Sequence, residues 1–141
     1  MPMNLPDPKV PYLYILMRSD LDSLNPGKMV AQGAHAANQF THEMDDLVTM
    51  SGKENHLYNQ WKTSTPDGFG VTICLDVTGQ QLADVVAFAK RANFAAGVTH
   101  DPSYPLLDGS VLHLLPLDTC GYVFGDKSDL RALLGQFGLL K

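Results

Sequence analysis

Apolar and polar positions along this chain switch between two periods, and the switches mark out its elements. Residues 10–17 are almost unbroken apolar sequence, the pattern of a central strand buried on both faces. Residues 20–26, rich in Asp, Ser and Asn, form a loop. From Gly27 to the region of Met44 and Asp45 the period is helical, and Pro26 suits the first turn, where its missing N–H would be unpaired in any case. Val30, Ala34, Ala37, Thr41 and Met44 fall on one side of this helix, where small residues allow close packing on a sheet. Leu57, Tyr58 and Trp61 predict a short helix over residues 54–63, and residues 65–68 (Thr-Pro-Asp-Gly) a turn. A second strand is expected over residues 69–77. Thr78 then caps a helix running to about Asn93, with Gln81 in the capping-box position and Leu82, Val85, Val86 and Ala89 facing a core. Residues 95–100 predict a third strand, 101–109 a loop, 110–117 a fourth strand, 118–125 a connection, and 128–136 a last helix capped by Ser128. Strand–helix–strand units predict parallel neighbours, right-handed crossovers and an α/β fold with helices on both faces of a sheet. The pair flanking residues 101–109 is either a hairpin or non-adjacent.

Composition narrows the class. With 141 residues, 45% of them apolar and 18% charged, the chain has room for one domain with a full core. No apolar run is long enough to span a bilayer, and the Pro-rich start lacks a signal-peptide core, so the cytoplasm is the expected location. Cys74 sits in an apolar strand pattern and Cys120 precedes Gly121. Without CxxC spacing they give no zinc signature, and Cys120 has no local base partner to make it a nucleophile. His35 and His42 share a helix face but lie about 10 Å apart along the axis, too far for one metal ion. No Gly-x-Gly-x-x-Gly or P-loop pattern is present, so a nucleotide cofactor is not indicated. A net charge of −5 argues against broad, nonspecific nucleic-acid binding.

The candidate chemistry lies on the other edge of the first helix. Lys28, Gln32 and His35 share it, continued by Gln39 and His42. A cation, an amide and an imidazole in the first turns occupy the end where backbone N–H groups also attract anions. In open α/β sheets, sites lie beyond the carboxyl ends of the parallel strands. The first strand brings Arg18 and Asp20 to that rim, and the third brings His100 and Asp101. Arg18 also has a purely structural role open to it, an ion pair with Asp20 or Asp22.

Arg18-Ser19-Asp20-Leu21, Gly27-Lys28, Gln32 and His35-Ala36 together resemble the opening of the second-class (archaeal and eukaryotic-type) peptidyl-tRNA hydrolases, a strand and Arg-x-Asp-Leu followed by Gly-Lys-x-x-x-Gln-x-x-His-Ala. The resemblance runs from about Tyr12 to the C-terminus. It implies a three-layer α-β-α sandwich around a mixed, mostly parallel four-stranded sheet. Residues 10–141 would form this domain after an extended lead-in over residues 1–9. It further implies hydrolysis of the ester between a peptide and the tRNA 3′ ribose without metal or cofactor, the tRNA acceptor end as partner, and a homodimer. The alternative is a noncatalytic tRNA- or protein-binding module on the same fold. An ester of this kind needs an activated water and help for the oxyanion. On that reading Lys28 stabilises negative charge at the carbonyl or an end phosphate, His35 or Asp101 holds or deprotonates the water, and Gln32 orients a substrate group or the His ring. Arg18 and Asp20 are the remaining substrate contacts. The family's loop after the third strand reads Asp-Ala-Gly-x-Thr-Gln-x-x-x-Gly-Ser. Residues 101–110 keep the leading Asp and trailing Gly-Ser but lose Thr-Gln, which leaves Ser103 or Tyr104 to supply a hydroxyl.

Overall fold

The computed structural model describes residues 7–141. Residues 1–6 of the expected lead-in lie outside the described residues, and residues 7–10 carry no regular structure. Eight elements follow in the order β1 (Pro11–Arg18), α1 (Pro26–Ser51), α2 (His56–Lys62), β2 (Thr72–Val77), α3 (Gly79–Arg91), β3 (Ala95–Asp108), β4 (Val111–Asp126) and α4 (Lys127–Leu134). They build an α/β fold on one mixed four-stranded sheet in the order β2-β1-β4-β3. β1 is parallel to β2 and antiparallel to β4, which is antiparallel to β3. Three strands therefore point one way. Because β4 lies between β1 and β3, only one of the three pairings is parallel, fewer than expected. The cause is the β3–β4 hairpin, whose two strands must oppose each other.

That hairpin is the largest departure from the sequence reading. Residues 101–109 continue β3 instead of forming a loop, and residues 118–125 continue β4 instead of connecting. The strands meet at a two-residue turn with Asp108 opposite Val111. Gly109, at φ +60°, fills the first turn position, where a type II′ turn calls for glycine. Beyond Asp101 the two strands form an arm without further sheet neighbours.

Each sheet face carries its own core. Phe40, Tyr58 and Trp61 from α1 and α2 pack with Leu13, Tyr122 and Phe124 on one face, and Leu82, Val86 and Leu130 from α3 and α4 pack with Leu16 and Val123 on the other. Helices on both faces give the three layers. The face that α1 buries is rotated from the expected one, keeping Met44, with Ala37 packed at its edge. It runs through Gln32, Ala36, Phe40 and Met44, whereas Val30 is 75% exposed. The bulky Phe40 gains most from burial and draws the helix around, so Gln32 is carried inward. Helix α1 starts at an Asn25 cap and ends at Gly52, whose left-handed conformation (φ 67°) lets its N–H reach the Val48 carbonyl, nearly two turns beyond the expected end. The capping box at Thr78 and Gln81 is present.

The cap of α4 is Asp126, not Ser128. Its carboxylate accepts from the N–H groups of Val10, Ser128 and Asp129, tying the chain start to the last helix. The Val10 contact leads the three in holding the carboxyl below the usual carboxylate range. A lowered folded pKa contributes stability above the unfolded value, near 3.9, and that contribution disappears as pH falls through the folded pKa. Asp126→Ala is thus expected to cost about 1–2 kcal/mol in urea denaturation at neutral pH. The deficit should shrink in strongly acidic solution. An equal deficit at every pH would contradict a charged cap.

Candidate active site

The carboxyl ends of β1, β2 and the sheet portion of β3 share one rim, and the N-terminus of α1 opens beside it. Two register shifts interrupt the β3–β4 ladder there, between Thr99 and His100 and between Asp101 and Tyr104. In the first, Thr119 is the unpaired residue of β4, and in the second β3 carries the extra residue. Bulges beside a site re-aim side chains. Here the first turns Thr119, fully buried, toward α1, where its Oγ1 donates to Gln32 Oε1 at 2.7 Å.

That contact fixes the amide of Gln32, itself 3% exposed. With its oxygen occupied by a donor, Nε2 must face the other way, and it donates to Asp101 Oδ2 at 2.7 Å. The Ser103 N–H donates to the second oxygen at 2.8 Å. The Gln32 hydrogen bond, aided by the Ser103 N–H, holds Asp101 below the usual carboxylate range against the opposing effect of burial. A carboxylate offers about four lone-pair sites. Two remain free to accept from water.

One turn before Gln32, Lys28 meets the arm. Its Nζ donates to the Pro105 carbonyl at 2.8 Å and lies 5.1 Å from the centroid of the Tyr104 ring. Tyr104 is 1% exposed, and its hydroxyl pairs with Ser23 Oγ at 2.9 Å. It forms a wall under the ammonium and has no free hydroxyl to offer. Two of the three ammonium donors remain for a ligand. Lys28, Gln32, Asp101, Ser103 and Tyr104 therefore converge on one side of the molecule.

Other candidates stand apart. Alternation along β1 turns Met17 toward α1 and Leu16 toward α3, so Arg18 shares the α3 side. There it pairs with Asp20 at 2.9 Å and donates to the Asp118 carbonyl at 3.0 Å. Asp20 also accepts the Gly79 N–H; Arg18 first, then that N–H, keeps it below the usual carboxylate range. A Cβ at Gly79 would sit 2.7 Å from the Arg18 guanidinium carbon, so glycine lets the pair dock on α3. The structure thus gives Arg18 its ion pair and does not bring it to Lys28. His35 is exposed and sits one turn beyond Gln32.

The family model for peptidyl-tRNA hydrolase PTH2 matches residues 12–118. The chain belongs to this family. No curated protein matches it. In this PTH2 member the matched span takes in β1 from Tyr12, α1, the candidate cluster and the arm, and stops one residue before Thr119. Sequence reasoning passed over Thr119, because its role depends on a cross-strand register with no local signature. It also passed over the Pro105 carbonyl and Ser23. Gln39 did carry a signal, as part of the polar stripe; it bridges to β3, accepting from Thr99 Oγ1 at 2.8 Å and donating to the Val98 carbonyl at 3.0 Å. Cys120 donates its thiol to the Gln32 carbonyl, and burial pushes its pKa up; burial likewise pushes Cys74 up to about 11. Neither is poised as a nucleophile at neutral pH. Among the described residues no three His, Cys, Asp or Glu side chains gather as a metal site, and no helix is long and apolar enough to cross a membrane.

Proposed function

We propose that the protein hydrolyses the ester between a peptide and the 3′ ribose of tRNA, acting on the acceptor end and freeing the tRNA for reuse. Asp101 accepts a hydrogen bond from the attacking water and aims it at the ester carbonyl. Lys28 faces the negative charge that develops on the carbonyl oxygen or that sits on the terminal phosphate. Gln32 and Thr119 hold Asp101 ionised and oriented. His35, on the exposed side of the cluster, takes up the proton as the water attacks. The water's O–H bond breaks as its oxygen bonds the carbonyl carbon, and collapse of that adduct expels the ribose oxygen, which regains a proton. Arg18 and Asp20 shape the rim on the α3 side.

The observation that carries this reading is the Thr119–Gln32–Asp101 chain beside Lys28 in a member of this family. A structural pair would not need an amide pinned from both ends. Incubation with N-acetylaminoacyl-tRNA is expected to release the N-acetyl amino acid over many turnovers. Saturable binding without release would assign the noncatalytic module instead.

The proposal includes a homodimer. On the arm, Pro105 pairs with Leu114 and Leu107 with Leu112, and the three leucines are 60–65% exposed on one apolar face. Such a face supports burial against a second copy. Equilibrium sedimentation is expected to give two chains for the native protein and one for the Leu112→Ser, Leu114→Ser variant. A native single chain would remove the dimer and leave the hydrolase proposal standing.

A further inference from the structure

On the sheet face opposite Lys28, toward the start of β1, a cavity of about 280 Å³ opens between β1, β2, α4 and the C-terminal segment. Leucine and isoleucine side chains form its floor. Tyr12 and Tyr14 stand over that floor with ring centroids 5.9 Å apart and planes tilted by 49°, and Phe137 adds a third ring. Lys127 and Arg131, one turn apart on α4, stand at the rim, with the Lys127 Nζ 5.8 Å from the Tyr12 centroid.

The charges around this cavity are unbalanced. Asp126 is engaged in capping α4 and Asp129 pairs with Lys9, so among the described residues neither Lys127 nor Arg131 has a carboxylate partner. No acidic side chain lines the cavity. The two phenol hydroxyls have no hydrogen-bond partner among the described residues either. In a chain of net charge −5, two unpaired cations beside three aromatic rings are a local inversion of the overall charge.

We propose that this cavity binds a nucleotide, with the base against the tyrosine and Phe137 rings and the phosphate on Lys127 and Arg131. Each half of the cavity excludes a simpler ligand. An uncharged apolar molecule would leave the two cations unused, and a bare inorganic anion would leave the rings uncovered. A planar base satisfies the rings by stacking, and a phosphate suits a guanidinium beside an ammonium. At about 280 Å³ the cavity lies at the small end of ligand sites, which run from about 300 Å³ upward, and that limits its occupant to a single nucleotide unit. Side-chain charge would hold the phosphate in place of the glycine-rich loop that this sequence lacks. The same chemistry is presented by a free mononucleotide and by one nucleotide of an RNA strand. The cavity lies at the other end of β1 from Asp101 and on the other face of the sheet, so the inference does not rest on the hydrolase proposal.

Titration of the full chain with AMP, adenosine, inorganic phosphate and a short oligoadenylate, followed by amide chemical shifts and calorimetry, tests it. AMP is expected to bind saturably and to shift the amides of β1 and α4, with adenosine and phosphate alone each at least about tenfold weaker. Lys127→Ala combined with Arg131→Ala, both at exposed positions, is expected to weaken AMP by about tenfold or more and to leave peptidyl-tRNA turnover of a minimal acceptor-end substrate unchanged. Tighter binding of the oligoadenylate than of AMP assigns the cavity to an RNA strand, and the reverse order assigns it to a free nucleotide. Failure of both to bind, or equal AMP affinity in the native protein and the double variant, overturns the inference.

Discussion

Asp101→Asn is expected to lower turnover of a peptidyl-tRNA ester by about 10²–10⁴-fold while leaving KM nearly unchanged, the range typical for loss of a positioned acid–base group. The substitution keeps the shape of the side chain but removes its charge. It also sets an amide NH₂ against either the Gln32 NH₂ or the Ser103 N–H, both of which point donors at this position. The water then loses the acceptor that aims it. A loss this large with the fold intact would separate a group acting on water from one that only braces α1 against β3. The pH dependence follows from the same contacts. Because Asp101 is held below the usual carboxylate range, it stays ionised as pH falls to about 5, and no loss of activity above that pH is due to its protonation. Its contribution to folding has the same sign: present above the unfolded pKa and lost only as pH drops through the lowered folded value. Gln32→Glu sharpens the comparison. It replaces the donor with a second carboxylate, so Asp101 should titrate higher and the acid limb of the rate profile should move upward in pH. An unmoved acid limb would place the water on another group.

Phe40→Ala carries the largest expected cost in stability, about 3–5 kcal/mol, with a fall in Tm on the order of 10–20 °C. Phe40 is fully buried and its ring sits 4.8–5.5 Å from those of Phe124, Trp61, Tyr122 and Tyr58. Removing it opens a cavity between α1, α2 and the sheet that four rigid rings cannot collapse to fill. The same residue sets the rotation of α1 and so the inward aim of Gln32, two turns earlier. Turnover should therefore fall even at temperatures where the variant remains folded. A Phe40→Leu protein, which refills much of the space, should recover most of both losses. Equal activity in native and Phe40→Ala proteins at low temperature would uncouple the core from the site.

What the chain announces in advance, it announces locally. The start of α1 and the capping box of α3 each depend on residues within one turn, and the Lys28–Gln32–His35 stripe follows from spacing on one helix. Asp101 was legible because strand exits in α/β sheets are where polar side chains collect. The arm was not legible because its signals point the other way. Pro102 and Pro105 with Asp101 and Asp108 read as a loop, yet β3 is an edge strand, where proline is tolerated, and Pro102 falls within the second register shift. Tyr104 read as a free hydroxyl because its partner, Ser23, is 81 residues away in sequence. Val30 read as core because helical period alone does not say which of two apolar stripes faces the sheet; the size of Phe40 decides that. Thr119 shows the same limit. Its placement is a matter of register between two strands, and one residue more or less in β4 would turn it away from Gln32.

The most direct test is a single-turnover measurement of ester cleavage on two matched substrates, an N-acetylaminoacyl-tRNA and the same acyl group on a simple alcohol. The native protein is expected to cleave the RNA ester at least about 10²-fold faster than the simple ester, and Lys28→Ala is expected to remove most of that difference. Equal rates on the two esters, or an unchanged RNA rate in Lys28→Ala, would contradict an ammonium and a carboxylate working together on the tRNA acceptor end.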